Sequence, residues 1–185
     1  MIVYYVWESY DRTCDGNIVA LYLNKQDAVE GFKDALKYAW PNTMDSDDNG
    51  RTFDQCVLNM QYVCGDTYII LGCDYFTDSI FLKKIQKEHN IKIYYLLGIY
   101  GVDATNKPYV SLYVEEDFVR EDFKKILSRI WPDNLNVDDN ERTFDECVED
   151  MLYEWDDTHI IVDSENISDD IISEELKKHK EQTRR

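Results

Sequence analysis

The sequence predicts an α+β fold built twice from one ββααβα unit, residues 1–91 and 92–185. Each unit is expected to hold a mainly antiparallel three-stranded sheet with helices on one face. The two copies are expected in a pseudo-two-fold arrangement. Three observations predict this. The chain repeats itself, strand-like and helix-like periodicities recur in both copies, and the same helix start and stop signals appear twice.

The repeat comes first because it decides the architecture. At a shift of 91, Trp40-Pro41 falls on Trp131-Pro132 and Asp47-Asp48-Asn49 on Asp138-Asp139-Asn140. Arg51-Thr52-Phe53-Asp54 falls on Arg142-Thr143-Phe144-Asp145, Cys56-Val57 on Cys147-Val148, and Met60 on Met151. About a third of the aligned positions are identical, and the alignment reads as gapless.

Each element then has to hold twice. Residues 2–10 and 93–101 are rich in Ile, Val, Tyr and Leu and read as a first strand. The turn signal Asp15-Gly16-Asn17, or Asn106-Lys107-Pro108, leads into a second strand over 18–23 or 109–114. Asn24 can cap the next helix, whose apolar stripe is Ala28, Phe32, Ala35, Leu36 and Ala39. The second copy carries Val119, Phe123, Ile126, Leu127 and Ile130 at those places. Trp-Pro stops both helices, because a residue before proline avoids the helical region.

An acidic loop follows, and then Thr52-Phe53-Asp54-Gln55 or Thr143-Phe144-Asp145-Glu146 opens a second helix with a capping box. That helix is expected to run on through Val63 and Gly65, or Glu154 and Asp156. A third strand is expected from Thr67 to Leu71 and from Thr158 to Val162. Thr77 or Ser168 should cap a last helix carrying Ile80, Phe81 and Ile85, or Ile171, Ile172 and Leu176.

Composition bounds the function. Asp and Glu number 38 against 20 Lys and Arg, a net charge of −18. Such a chain is not expected to bind nucleic acid or anionic lipid directly, because phosphate binding needs a basic surface. Five cysteines without framework spacing suggest free thiols in a reducing compartment, so a cytoplasmic location is expected. The first residues lack a basic segment followed by a long apolar run, so no signal peptide is expected, and no apolar run is long enough to cross a membrane.

Catalytic signatures are missing. The seven glycines do not cluster, and no nucleophile elbow, phosphate loop or dinucleotide fingerprint occurs. His89, His159 and His179 have no histidine counterparts in the other copy. No enzyme activity, cofactor or metal site is therefore expected. The loop Asp45-Ser46-Asp47-Asp48-Asn49-Gly50 resembles the start of an EF-hand calcium loop, but the twelfth position is Cys56 where a bidentate Glu is needed. The simpler reading is an acidic loop before a helix N-terminus. Cys56 and Cys147 read as buried thiols, and Arg51 and Arg142 as loop-holding ion-pair partners of neighbouring acids such as Asp48, Asp54, Asp139 and Asp145.

The copies differ most in charge. Residues 1–91 carry 14 acids and 8 bases, and residues 92–185 carry 24 and 12. Gln55, Leu58, Asn59, Val63 and Gly65 become Glu146, Glu149, Asp150, Glu154 and Asp156. These five, with the Asp138-Asp139 loop, are the candidate partner-binding residues. The expected partner is a basic or nucleic-acid-binding protein, because spaced carboxylates can imitate a run of phosphates. The strand–strand–helix opening resembles that of many small acidic phage or viral accessory proteins. That likeness is one of style, has no diagnostic motif and transfers no residues; the acidic surface itself suggests an inhibitor or nucleic-acid mimic, with phage or viral counter-defence as one setting. A small-ligand module is the alternative, with a nucleotide-like ligand between the copies and Tyr4, Tyr94, Tyr95, Trp40 and Trp131 as lining. An enzyme with a cleft site invisible in the sequence is a further one.

Overall fold

The computed structural model describes residues 1–10, 18–77, 83–84, 90–99, 109–156, 158–168 and 172. The chain divides into two compact units, one built on Met1–Lys83 with Asp170–Arg185, the other on Lys84–Asp169. The first holds β1 (Ile2–Ser9), β2 (Ile18–Tyr22), α1 (Lys25–Ala39), α2 (Phe53–Asn59), β3 (Gln61–Cys64) and β4 (Thr67–Tyr75). The second holds β5 (Asn90–Ile99), β6 (Tyr109–Tyr113), α3 (Glu116–Ile130), α4 (Phe144–Asp150), β7 (Leu152–Trp155) and β8 (Thr158–Ser168). The mixed α+β class and the two similar halves are as expected, but each sheet has four strands rather than three. Their orders are β2-β1-β4-β3 and β6-β5-β8-β7, antiparallel throughout.

The additional strand replaces the second half of the expected long helix. Met60 and Met151 take left-handed backbone angles, φ 56° and 53°, and stop α2 and α4 after seven residues. The chain then turns at once into β3 or β7. Period-2 burial takes over there: Tyr62 and Tyr153 are buried, while Gln61, Val63, Leu152 and Glu154 are only partly covered. Ser168 is the last residue of β8; Ile172 beyond it is helical and buried, and Lys83 and Lys84 are helical within the first copy's expected last helix. The expected last-helix residues Ile80, Phe81, Ile85, Ile171 and Leu176 lie outside the described residues, as do the two turn signals before the second strand and Cys14, His89 and His179.

The helix signals work as read. Asn24 accepts from the Gln26 N–H at 2.7 Å, and both capping boxes are complete. Trp40 and Trp131 sit in extended conformation at the ends of α1 and α3. Glu115 precedes α3 without a side-chain cap bond, so the second copy lacks the stop-and-start chemistry of Asn24.

Strand register corrects the gapless alignment. Tyr4 pairs with Tyr22 and Tyr94 with Tyr113, while Val6 pairs with Leu71 and Leu96 with Val162. The first strands therefore correspond at a shift of 90 and everything after them at 91. The second unit carries one more residue between its first two strands.

In the first unit α1 packs on β1, β2 and β4, burying Phe32, Leu36, Val6, Ile69 and Tyr62. Phe123, Leu127, Leu96, Ile160 and Tyr153 form the same core in the second. The opposite sheet face is buried too: Val3 and Trp7 on β1, and Ile91, Ile93 and Leu97 on β5, are at most 3% exposed. Side chains alternate across a strand, so both sheets behave as interior layers rather than half-solvated surfaces.

Candidate functional site

In each unit the loop after Trp-Pro is held by one buried aspartate. Asp138 Oδ1 accepts from the Asn140 N–H at 3.0 Å and the Arg142 N–H at 2.9 Å. Its Oδ2 accepts from Arg142 Nε at 3.0 Å, Arg142 Nη2 at 2.6 Å, the Cys147 thiol at 3.5 Å and the Glu154 N–H at 3.4 Å. Asp47, Arg51 and Cys56 repeat the core of this lock, with Arg51 Nε and Nη2 at 2.9 and 2.5 Å from Asp47 Oδ2 and the Cys56 thiol at 3.6 Å. The arginines do hold the loop. Their partners, however, are Asp47 and Asp138, four residues before each arginine, and not the flanking acids.

Burial alone would push these two carboxyls up. The hydrogen bonds and charge of Arg51 and Arg142 outweigh it and hold both below the usual carboxylate range. The thiols respond the other way. Burial, then the adjacent carboxylate, pushes Cys56 up to about 11 and Cys147 up to about 12. A thiol that stays protonated is a poor nucleophile. The part of the loop that resembles a calcium site has Asp47 turned inward to Arg51. Among the described residues, no group of three or more His, Cys, Asp or Glu is placed to hold a metal ion.

The candidate contact residues separate into three settings. Asp138 is only 3% exposed and fully engaged, so its carboxylate is withdrawn from any surface contact. Glu146, Glu149 and Asp150 are exposed on α4, within one turn of each other along the helix. Glu154 and Asp156 do not continue that helix: Glu154 lies on β7, and Asp156 lies in the turn before β8. The run of carboxylates along one long helix is thus a short helix, a loop and a hairpin turn. Internal bonds tie the last two together. The Asp156 N–H donates to Asp139 Oδ2 at 2.7 Å, the Asp139 N–H donates to Glu154 O at 2.9 Å, and Asn140 Nδ2 donates to Glu154.

Sequence reasoning missed Glu141, which is exposed and left-handed at φ 61° beside these residues. The signal was in the glycines. Gly31, Gly50, Gly65 and Gly72 of the first unit become Asp122, Glu141, Asp156 and Asp163. Two of the replacements serve tyrosines. Tyr113 donates to Asp122 at 3.0 Å, and Tyr95 is hydrogen-bonded to Asp163. In the first unit a Cβ on Gly31 or Gly72 would lie 2.1 or 2.2 Å from the hydroxyl of Tyr22 or Tyr5. The other two, Glu141 and Asp156, stand in left-handed backbone where the first unit uses Gly50 at φ 72° and Gly65 at φ 56°.

The exposed acids therefore occupy positions that folding alone disfavours. A left-handed L-residue costs about 1–2 kcal/mol. Glu149 and Asp150 crowd the C-terminal turn of α4, where no basic side chain of the helix offsets the dipole. Relief comes from α3. Arg120 Nη1 donates to the carbonyls of Val148 and Glu149, both at 3.0 Å, and Nη2 to Glu116 at 2.9 Å. The first unit has Val29 at that place.

The aromatics considered for a ligand pocket are engaged within their own units. Trp40 packs against Phe53 and Tyr62, Trp131 against Phe144 and Tyr153, and their indole N–H groups donate to Met44 O and Leu135 O at 3.0 Å. Tyr94 donates to Glu116. No helix among the described residues is long and apolar enough to cross a membrane.

The chain matches no protein-family model, no curated protein and no solved structure.

Proposed function

We propose that the second unit is a non-catalytic docking module whose acidic corner engages a basic surface on a partner protein. The corner comprises Asp139, Glu141, Glu146, Glu149, Asp150, Glu154 and Asp156. The observation that carries this reading is that Glu141, Asp156, Glu149 and Asp150 stand where backbone or helix-dipole energetics oppose them. The first unit has Gly50, Gly65, Leu58 and Asn59 in the same places. Side chains kept against local stability point to a use outside folding. A partner that itself binds nucleic acid fits best, because its cleft is already built for spaced negative charge. Inhibition by phosphate mimicry, as in counter-defence by a phage or virus, is the setting we favour. A reducing cytoplasm is consistent with the free thiols of Cys56, Cys64, Cys73 and Cys147.

The test compares the intact protein with E149K/D150K/D156K, each used to capture a lysine-rich peptide and a basic DNA-binding domain at low and high salt. Binding by the wild type should fall steeply with salt and be lost on charge reversal. The matching substitutions L58K/N59K/G65K in the first unit should leave it intact. Capture that persists unchanged in high salt overturns the proposal.

A further inference from the structure

We propose that His159 is a pH-responsive latch for Glu154, pairing with one carboxylate of the acidic corner as pH falls; this rests on the docking role proposed above. The two residues face each other directly across the β7–β8 pair. His159 Nδ1 stands 3.8 Å from Glu154 Oε1, and both side chains are largely covered, at 12% and 21% exposure. That nitrogen is sheltered from solvent and has no hydrogen-bond partner among the described residues. With the neutral ring's proton on Nε2, Nδ1 and the carboxylate are two acceptors with nothing to share. A protonated imidazole supplies the missing donor, and the gap then needs only about 1 Å of closure to become a charged hydrogen bond.

The pair belongs to the second unit alone. The equivalent cross-strand residues of the first unit are Val63 and Tyr68. Both members therefore differ together, and one of them lies in the acidic corner.

The charged surroundings leave Glu154 as the responding group. Arg142 is close to Glu154, but its charge is already matched by Asp138. Asp163 shares the His159 face of β8 but is hydrogen-bonded to Tyr95 on β5. Asp139 is occupied by the Asp156 N–H. Glu154, by contrast, accepts from a neutral amide, Asn140 Nδ2, on Oε2 and leaves Oε1 facing His159. Closing the latch draws Oε1 toward His159 while Oε2 still faces Asn140 Nδ2, so it displaces the Asn140 amide and offsets the negative charge of Glu154.

The experiment uses the full-length protein, H159Q and E154Q. Binding of a lysine-rich peptide is measured near pH 7.5 and near pH 5.5, on either side of the range in which imidazoles gain a proton. The Asn140 side-chain amide resonances are followed in parallel. In the wild type, acidification should weaken peptide binding about twofold to fivefold, the worth of one exposed charge pair, and shift the Asn140 amide. Both responses should disappear in H159Q, and the amide response should disappear in E154Q. An Asn140 amide that shifts equally in wild type and H159Q overturns the latch. If no protein binds the peptide at either pH while the amide shift still requires His159, the latch stands and the docking role fails.

Discussion

Glu141 and Asp156 allow the central claim to be tested by stability alone. Substituting both with glycine, E141G/D156G, removes two left-handed L-residues, strained by about 1–2 kcal/mol at Glu141 and by less at Asp156, since Asp tolerates this region. Glycine returns part of that through its larger unfolded-state entropy, about 0.5–1 kcal/mol. The net expectation is about 0.5–1 kcal/mol of stabilisation, nearly all of it from Glu141. The first unit supplies the reverse experiment. A Cβ added to Gly50 or Gly65 meets nothing within 4 Å, so G50E and G65D carry the backbone cost without a clash. The pair should destabilise the first unit by as much as E141G/D156G stabilises the second. Urea unfolding in high salt is the suitable assay, since screening removes the added benefit of deleting carboxylates from a chain of net charge −18. A Tm rise of about 2–4 °C per kcal/mol should accompany the gain. The stabilised variant should bind a basic partner less well. If E141G/D156G lowers stability, or G50E/G65D is neutral, these acids are not held against backbone preference and the functional inference drawn from them fails.

Two further predictions concern the buried lock. Asp138→Asn leaves Arg142 buried without its counter-charge and should cost about 3–5 kcal/mol by chemical denaturation, with Asp47→Asn behaving alike in the first unit. Because both carboxyls lie below their ordinary range in the folded protein, their contribution is present above the unfolded carboxylate pKa of about 4. It is lost as pH falls through the folded values, so acid titration should unfold the wild type only below about pH 4, and each Asn variant should lose the share of that pH dependence its own aspartate supplies. Thiol labelling gives the last prediction. Exposed Cys73 should react with an alkylating reagent in the native state, whereas Cys56 and Cys147, fully buried with raised thiol pKa, should react only after unfolding. Native-state labelling of Cys147 at the rate of Cys73 would contradict the packing described.

Much of the architecture was legible in the sequence because it rests on local chemistry. Thr52 and Thr143 start helices through their own hydroxyls, Trp-Pro stops them sterically, and the shared stripe from Phe32 to Leu36 and Phe123 to Leu127 names the core. What was not legible depends on non-local or rare choices. A methionine at φ 56° is an uncommon helix stop, and Gln61-Tyr62-Val63-Cys64 is too short for its period-2 pattern to stand out from a helix. Missing that stop turned β3 and β7 into helix and strung Glu154 and Asp156 along a face they do not share. The buried role of Asp138 was hidden for another reason: it sits beside Asp139 in an identical acidic context, and only the three-dimensional placement of Arg142 and Cys147 separates an interior anchor from a surface charge. The one-residue offset of the first strand was masked by matches that fall by coincidence in the wrong register.

The Asp–Arg–Cys arrangement occurs once in each half with nearly the same distances, yet the second half surrounds it with more negative charge. Each molecule thus carries its own internal reference. A spectroscopic reporter placed near Arg51 and another near Arg142 would experience the same fold, temperature and solvent, so any difference in their response to a partner, to salt or to acid isolates what the altered neighbourhood adds.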